Sequence, residues 1–392
     1  MSSLGWIDFD QAERDRMQRV LAFFQDRESR DELGLGAVRD SIADHLFPGT
    51  STIQTRLRYM LFIPWLFQRI ETRTGPEEQL RREARALEIG LIGALKAGGE
   101  TDGVIGGRAG ASLQRLPSLA YWAGLGAWGI RSFPGSPESY FASVGAGRRR
   151  APLREGDDTS AGRAHSLFWN PCLPPEPEML LERTDFGLTE EEGAFIVDRL
   201  VCNQPAALLT LLARERSHAK AEYIWMHPGL AAFPRETRRL VEHARIFSGL
   251  MHGAALLYNL SLSELRKHEE WTELYRRELA RWSADLEVAT LRAWSLPDFW
   301  ECIAHLAHFL QPAARSFVTQ WLQLVLDGPR KVAGSAPARR LVELRERRLK
   351  RAQSRFANRS ALDRWRGASG AQRLRFRWPQ ARTYLRDLAD AK

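Results

Sequence analysis

Residues 76–97, PEEQLRREARALEIGLIGALKA, decide the fold class of this 392-residue chain. Their apolar side chains recur at spacings of three and four, at Leu80, Ala84, Leu87, Leu91 and Leu95. Side chains at this spacing share one face of an α-helix. Pro76 stands where the first turn of a helix tolerates a proline. The stretch therefore predicts an amphipathic α-helix.

The same spacing extends toward the N-terminus. Apolar residues recur over 17–24, after a potential helix cap at Asp10, and again over 35–46 and 53–61. A Pro48-Gly49 break separates the last two stretches. Pro64 is expected to end or kink the third helix, because proline has no N–H to donate and clashes with the preceding turn.

Helical patterns also dominate residues 188–327 and predict a bundle of five or six segments. Thr189 with Glu192, and Ser261 with Glu264, match the capping box that marks the start of a helix. Residues 5–9 and 374–378 alternate briefly, as short strands do. We therefore expect a mainly α fold, a multi-helical bundle with a few short strands and a basic C-terminal module.

Changes in composition divide the chain into four segments. Proline, glycine and polar residues multiply over 132–187 and indicate a long connecting segment. A second linker follows Gly328-Pro329. The predicted order is an N-terminal helical domain (1–131), the connecting segment (132–187), a central helical bundle (188–327) and the basic module (328–392).

Positive charge is concentrated at the C-terminal end of the sequence. Residues 329–392 hold 19 Lys and Arg against 5 Asp and Glu, a net charge of +14, whereas the preceding 328 residues hold 38 and 43, a net of −5. A basic charge confined to one segment is typical of a surface that meets a polyanion.

Within this segment, residues 340–356 predict a basic amphipathic helix, with leucines 341, 344 and 349 on its apolar face. Guanidinium groups bind phosphate with paired hydrogen bonds, and exposed aromatic rings stack on unpaired bases. Arg56 and Arg58, expected just inside a helix start, are further phosphate-binding candidates. The full set of candidates shares a positive charge: Arg340, Arg345, Arg347, Arg348, Lys350, Arg351, Arg355, Arg364, Arg366, Arg373, Arg375, Arg377, Arg56 and Arg58.

A basic helix has other uses, and these alternatives stay open. It is often only a solvated face. It also suits a membrane surface or a calmodulin-like groove. Finally, it can dock on another protein subunit.

Catalytic patterns are weak throughout the sequence. Gly103–Gly110, GVIGGRAG, lacks the Lys-Ser/Thr of a phosphate-binding loop and is better explained as a turn between helices. Cys302, His305 and His308 fall at three-residue spacing but form an incomplete ligand set for zinc. We predict no catalytic residue, metal or cofactor and favour a non-enzymatic role. A metal-dependent nuclease around Asp40, Asp44, Arg56 and Arg58 is the alternative.

Nothing in the sequence predicts a membrane protein. The longest apolar run, residues 59–67, is far shorter than the roughly 20 residues of a membrane-spanning helix. The first ten residues lack the pattern of a signal peptide. Three widely spaced cysteines fit reduced thiols. We expect a cytoplasmic protein without a membrane partner.

Several blocks resemble an uncharacterised bacterial family, a domain of unknown function. The most characteristic is 30–65, RDELGLGAVRDSIADHLFPGTSTIQTRLRYMLFIPW, together with residues 5–9, 103–131, 168–171 and 355–358. Members of that family look like components of antiphage defence gene clusters beside helicases and phospholipase D-type nucleases. The resemblance implies a role in defence against foreign DNA but carries over no active site.

Charge and resemblance together suggest a non-catalytic subunit that binds nucleic acid, DNA in preference to RNA. Alternatively, it is an adaptor for helicase and phospholipase D-type nuclease partners. An assembly subunit that binds no nucleic acid is the third hypothesis.

Overall fold

The computed structural model describes residues 31–146, 168–216, 220–305 and 308–392, and the fold is mainly α. The strand predicted at 5–9 and the helix at 17–24 lie outside these residues. In chain order, the described α-helices are α1 (Gly36–Leu46), α2 (Tyr59–Glu71), α3 (Glu77–Ala97), α4 (Pro117–Ala127), α5 (Pro137–Gly145), α6 (Glu190–Asn203), α7 (Leu208–Arg214), α8 (Arg235–Arg266), α9 (Glu269–Asp285), α10 (Val288–Ala293), α11 (Leu296–Cys302), α12 (Pro312–Leu326), α13 (Ala336–Lys350), α14 (Arg359–Asp363) and α15 (Trp378–Ala389).

These residues form two compact units, each built from separate stretches of sequence. The long-helix unit comprises residues 31–42 and 231–376, and the aromatic unit comprises 43–230 and 377–392, within the described ranges. The division between residues 376 and 377 runs through the predicted basic module, which is not confirmed as a separate domain. The four predicted segments stay a prediction.

The long-helix unit is organised around α8, which spans 32 residues. Two tryptophan rings approach the α8 backbone: Trp282 packs where Gly253 has no side chain, and its Nε1 donates to the Gly249 carbonyl at 2.8 Å. Trp321 donates to the Leu250 carbonyl at 2.9 Å. Small residues thus let large aromatic side chains approach the α8 backbone and fill the core.

Helix α13 packs against α8 and α12 in the same unit. The side chain of Ser335 accepts a hydrogen bond from the N–H of Ala338 and caps its start. The predicted apolar face was wrong: Leu344 and Leu349 are 37% and 38% exposed, whereas Arg345 and Glu346 are buried. Burial of these charged groups is tolerated because backbone and hydroxyl groups satisfy them, as described below.

The aromatic unit contains the stretch with which the sequence analysis began. Helix α3 covers Glu77–Ala97 and buries Leu80, Ala84, Leu91 and Leu95, which confirms the predicted helix and most of its face. Glu88 is buried on this face too, and its carboxylate accepts hydrogen bonds from the backbone N–H and the hydroxyl of Ser118, both at 2.8 Å. Burial outweighs these bonds and raises the pKa of Glu88 to about 7.

Helix α2 does not end at Pro64, so that part of the prediction is wrong, and a kink stays a prediction. It begins at Tyr59 and continues through Pro64 to Glu71, and nearly all its side chains are buried. Its Phe67 lies in a cluster with Trp122, Tyr140 and Trp169, whose ring centroids are 5.2–6.0 Å from it. This burial offsets the hydrogen bond that proline cannot make.

Three further predictions are settled by the fold. The capping box at Thr189 and Glu192 is confirmed. The one predicted at Ser261 is wrong, because Ser261 lies inside α8 and its hydroxyl donates to the Leu257 carbonyl one turn earlier. No strand forms at 374–378, and the only extended pairings among the described residues are isolated bridges. Among the same residues, no helix is long and apolar enough to cross a membrane.

Candidate nucleic-acid interface

Arg345, one of the predicted phosphate-binding residues, is part of the core of the long-helix unit. Its Nε donates to the Leu33 carbonyl at 2.8 Å and its Nη2 to the Gly34 carbonyl at 3.0 Å. The guanidinium also lies over the ring of Phe317, 5.6 Å from its centroid. Burial lowers the pKa of Arg345. Its donors hold residues 33–34 on α13 and are not presented to a ligand.

Lys350 and Arg355 share a buried acidic partner. Glu32 is buried, and its Oε2 lies 3.4 Å from Nζ of Lys350 and 3.0 Å from Nη1 of Arg355. Arg355 also donates to the hydroxyl of Tyr258 at 2.7 Å. A buried carboxylate without these cations would be strongly destabilising, so both residues have a structural role.

The predicted arginines of the aromatic unit are likewise engaged. Arg56 and Arg58 precede α2 and lie outside it, which corrects the expected helix position. Arg56 pairs with Asp387 at 3.0 Å, and Arg58 with Glu192 at 2.7 Å. Arg377 pairs with Asp44 and donates to the Thr50 carbonyl at 2.7 Å. These guanidinium groups fix the loop over residues 50–58.

Arg373 and Arg375 are half-buried at the end of the long-helix unit. Arg375 donates to Oε1 of Gln372 at 3.1 Å. Arg373 lies beside His252 on α8, whose Nε2–H donates to the Ala371 carbonyl at 3.1 Å. Burial, with a smaller contribution from the charge of Arg373, lowers the pKa of His252 to about 4. Their surroundings indicate a structural role.

The remaining six candidates are exposed, and we call them the arginine surface: Arg340, Arg347, Arg348, Arg351, Arg364 and Arg366. All six belong to the long-helix unit. They are carried by α13, by the 3₁₀ turn Arg351–Gln353 that follows it, and by the residues just after α14.

Hydrogen bonds join these three elements. Nη2 of Arg347 donates to the Phe356 carbonyl at 3.2 Å, and the Asn358 amide donates to the Ala352 carbonyl at 2.8 Å. Nη2 of Arg364 donates to Oε1 of Gln353 at 3.1 Å. The end of α13, the turn and α14 therefore form one connected surface.

Acidic groups neutralise little of this surface. Glu343 pairs with Arg347 at 2.8 Å. Glu346, the other acid of α13, is buried, where it accepts from the Ser354 hydroxyl and from the N–H of Arg355 at 2.8 Å. Arg340, Arg348, Arg351 and Arg366 form no ion pair with any described residue. Four guanidinium groups thus keep all their donors for solvent or a ligand.

The aromatic residues of the segment do not belong to this surface, which corrects the expectation that they stack on bases. Trp365 and Phe376 are each 1% exposed. Trp365 donates to Oδ1 of Asn259 at 3.3 Å and packs edge-on against Trp271. Where arginine and aromatic residues alternate over 364–366, the aromatic side chain is buried and the two arginine side chains are exposed.

The alternative catalytic and metal sites gain no geometric support. Among the described residues, no group of three or more His, Cys, Asp or Glu side chains is arranged to hold a metal ion. Asp40 pairs with Arg39 at 3.1 Å. The glycine-rich loop joins α3 to α4, and the Gly103 carbonyl accepts from the Thr55 hydroxyl at 2.6 Å. This loop is the expected turn between helices.

Sequence reasoning missed some members of the same region. Arg330 and Lys331, in the 3₁₀ turn Pro329–Gly334 before α13, are exposed, and so is Arg359, which pairs with Asp363 at 3.3 Å. The net charge of residues 329–392 already included these three residues and could have pointed to them. They lie outside the predicted helix and do not alternate with aromatic residues, as the arginines of 364–366 and 373–377 do.

Comparison with known proteins gives a family and no function. The model of the family of unknown function DUF6361 matches residues 1–392. Neither the curated proteins nor the solved structures contain a match. Since the family model spans the whole sequence, the chain belongs to the family of unknown function DUF6361.

Proposed function

We propose that this protein is a non-catalytic subunit that binds nucleic acid through the arginine surface. In this role it would hold DNA for helicase and phospholipase D-type nuclease partners in an antiphage defence system. The defence setting and these partners come from the family resemblance alone. The binding activity is argued from the chain's own residues.

The observation that carries the proposal is the contrast between two sets of arginines. Arginines 56, 58, 345, 355 and 377 are each matched to an acid or a backbone carbonyl. Arg340, Arg348, Arg351 and Arg366 have no such partner among the described residues and lie on one connected surface. Unneutralised cations at this density repel one another and favour a polyanionic ligand.

A second function is favoured by the exposed leucines. Leu344 and Leu349 lie on α13 among the exposed arginines. Apolar side chains rimmed by charge are typical of protein interfaces. The same surface could therefore dock an acidic protein partner, and the subunit would then serve assembly without touching nucleic acid.

Binding of the full-length protein to labelled DNA across a salt series tests the proposal. Truncation before the basic segment is unsuitable, because Trp365 and Phe376 are buried in the long-helix unit. We expect binding at low salt that weakens steeply as salt rises. Absence of binding at low salt would refute the nucleic-acid function and leave the acidic-partner function, which Leu344→Ser should impair in a pull-down.

A further inference from the structure

The exposed side chains of the arginine surface favour one form of nucleic acid over the others. We infer that its ligand is double-stranded DNA, bound through the phosphates on both sides of a groove and independently of sequence. This inference rests on the proposed function and adds the form of the ligand.

Single strands are the less suitable ligand because no described residue of the arginine surface offers an exposed aromatic ring for stacking. Proteins that bind single strands stack bases on aromatic rings. Within residues 340–376 the aromatic residues are Phe356, Trp365 and Phe376. The last two are buried, and Phe356 is half-buried with its ring edge-on to Tyr258. Trp271, whose ring lies against Gly367, is half-buried and already stacks on His268, with ring centroids 3.8 Å apart. The exposed side chains of residues 340–351, which are available to contact a ligand, are arginines and leucines.

Spacing along α13 suits the two strands of a duplex. On an α-helix, Arg340, Arg347 and Arg348 fall within about 100° of one another, so they share one exposed side. Arg340 and Arg348 are separated by about 12 Å along the helix axis. That distance is close to the width of the B-DNA major groove, about 12 Å. Flexible guanidinium groups at the two ends can therefore reach phosphates on opposite strands.

Groove width also distinguishes a DNA duplex from an RNA duplex as a ligand for α13. A helix fits the wide major groove of B-form DNA, whereas the major groove of A-form RNA is deep and too narrow for side chains to read. Leu344, between Arg340 and Arg348 on the exposed side, is compatible with contact to the deoxyribose sugars. The form expected to bind best is therefore duplex DNA.

Sequence independence follows from the residue types on α13. Base-specific contacts in the major groove come chiefly from bidentate Arg, Asn and Gln. The α13 sequence, APARRLVELRERRLK, contains no Asn or Gln. Arg347 is held by Glu343 and the Phe356 carbonyl, which leaves Arg340 and Arg348 for the phosphates. Contacts limited to phosphates fix position without reading sequence.

The test measures the affinity of the full-length protein at one salt concentration for four ligands of about 20 nucleotides or base pairs: a DNA duplex, a second duplex of unrelated sequence, a single DNA strand and an RNA duplex. We expect the two DNA duplexes to bind within about threefold of each other and at least about tenfold more tightly than the other two. The double variant Arg340→Gln/Arg348→Gln should remove most of this preference.

Each outcome separates the inference from the proposed function. Equal or tighter binding of the single strand or the RNA duplex overturns the inference and leaves the proposed function intact. A tenfold difference between the two DNA duplexes overturns sequence independence. Failure to bind any of the four overturns both proposals. Phe309, which is 78% exposed, provides a control: if Phe309→Ala abolishes binding, a stacking contact is involved and the duplex inference is wrong.

Discussion

Three exposed arginines should account for a measurable part of the salt dependence of DNA binding. The perturbation is the triple variant Arg340→Gln/Arg348→Gln/Arg351→Gln. None of the three has an ion-pair partner among the described residues, so their removal leaves no acid unpaired. Glutamine removes the charge but has a helix propensity close to that of arginine and keeps a polar, unbranched side chain. Arg348 lies in the last turn of α13, where loss of a cation costs about 0.3–1 kcal/mol.

The magnitude follows from counterion release. Each phosphate neutralised in a duplex contributes about −0.9 to the slope of log affinity against log salt concentration. Loss of three contacts should reduce the steepness of that slope by about 2.7. Between 50 and 200 mM salt, the affinity of the variant should then fall about 40-fold less than that of the wild type.

The assay is fluorescence anisotropy with a labelled 20-base-pair duplex at five or more salt concentrations. The matched control is Arg235→Gln/Arg238→Gln/Arg292→Gln, which removes three exposed arginines of the same unit that form no ion pair with any residue the structure describes. Arg235 and Arg238 lie at the opposite end of α8 from Tyr258, about 30 Å away along the helix. A slope unchanged in the first variant, or reduced equally in both, would refute the reasoning.

Other predictions concern the buried groups. Because the pKa of Glu88 is raised from 4.5 to about 7, the stability that this carboxyl contributes is complete below pH 4.5 and is lost as pH rises through 7, by about 3 kcal/mol. In Glu88→Gln the side-chain amide can donate to the Ser118 hydroxyl while its oxygen accepts from the Ser118 N–H. The urea midpoint of this variant should therefore no longer fall as pH rises from 4.5 to 7. The same pH profile in the variant and the wild type would contradict this prediction. The pKa of His252 is lowered to about 4, so its contribution is complete above pH 6.5 and is lost by about 3 kcal/mol as pH falls toward 4. His252→Gln keeps a hydrogen-bond donor but cannot be protonated, so the urea midpoint of this variant should fall less steeply below pH 6.5. An equally steep fall in the variant and the wild type would show that His252 is not its cause. Gly253→Ala should destabilise by about 1–3 kcal/mol, since its methyl would overlap a tryptophan ring, whereas Gly249→Ala meets only the end of a flexible arginine and should be neutral or stabilising. Equal melting temperatures for the two glycine variants would count against the packing described for α8.

Local patterns in the sequence predicted individual helices well. The α3 stripe and the Thr189 capping box depend on residues within one or two turns, and both are confirmed. Fold class followed from the same local signals. The sequence did not show that the helix continues past Pro64, because the burial of α2 comes from residues far along the chain, such as Trp169. The spacing of apolar residues cannot show how far tertiary contacts offset the free-energy cost of a proline inside a helix.

The sequence also did not predict which arginines are buried and which are exposed. Composition located the basic segment, but Arg345 and Arg348 are three residues apart on one helix and have opposite surroundings. Arg345 is buried because the carbonyls of Leu33 and Gly34, more than 300 positions away, accept from it. Similarly, the partners of Arg56 and Arg377 come from distant parts of the sequence. Only the tertiary structure separates the structural cations from the exposed ones.

Arginine-specific modification with phenylglyoxal, read by mass spectrometry with and without duplex DNA, would show which arginines contact the ligand. We expect DNA to protect the arginine surface, with the largest effect at Arg340, Arg348 and Arg351. Modification at Arg235 and Arg238 should stay the same. Protection confined to those two control residues, or an unchanged pattern under conditions where DNA is bound, would show that the arginine surface does not bind DNA.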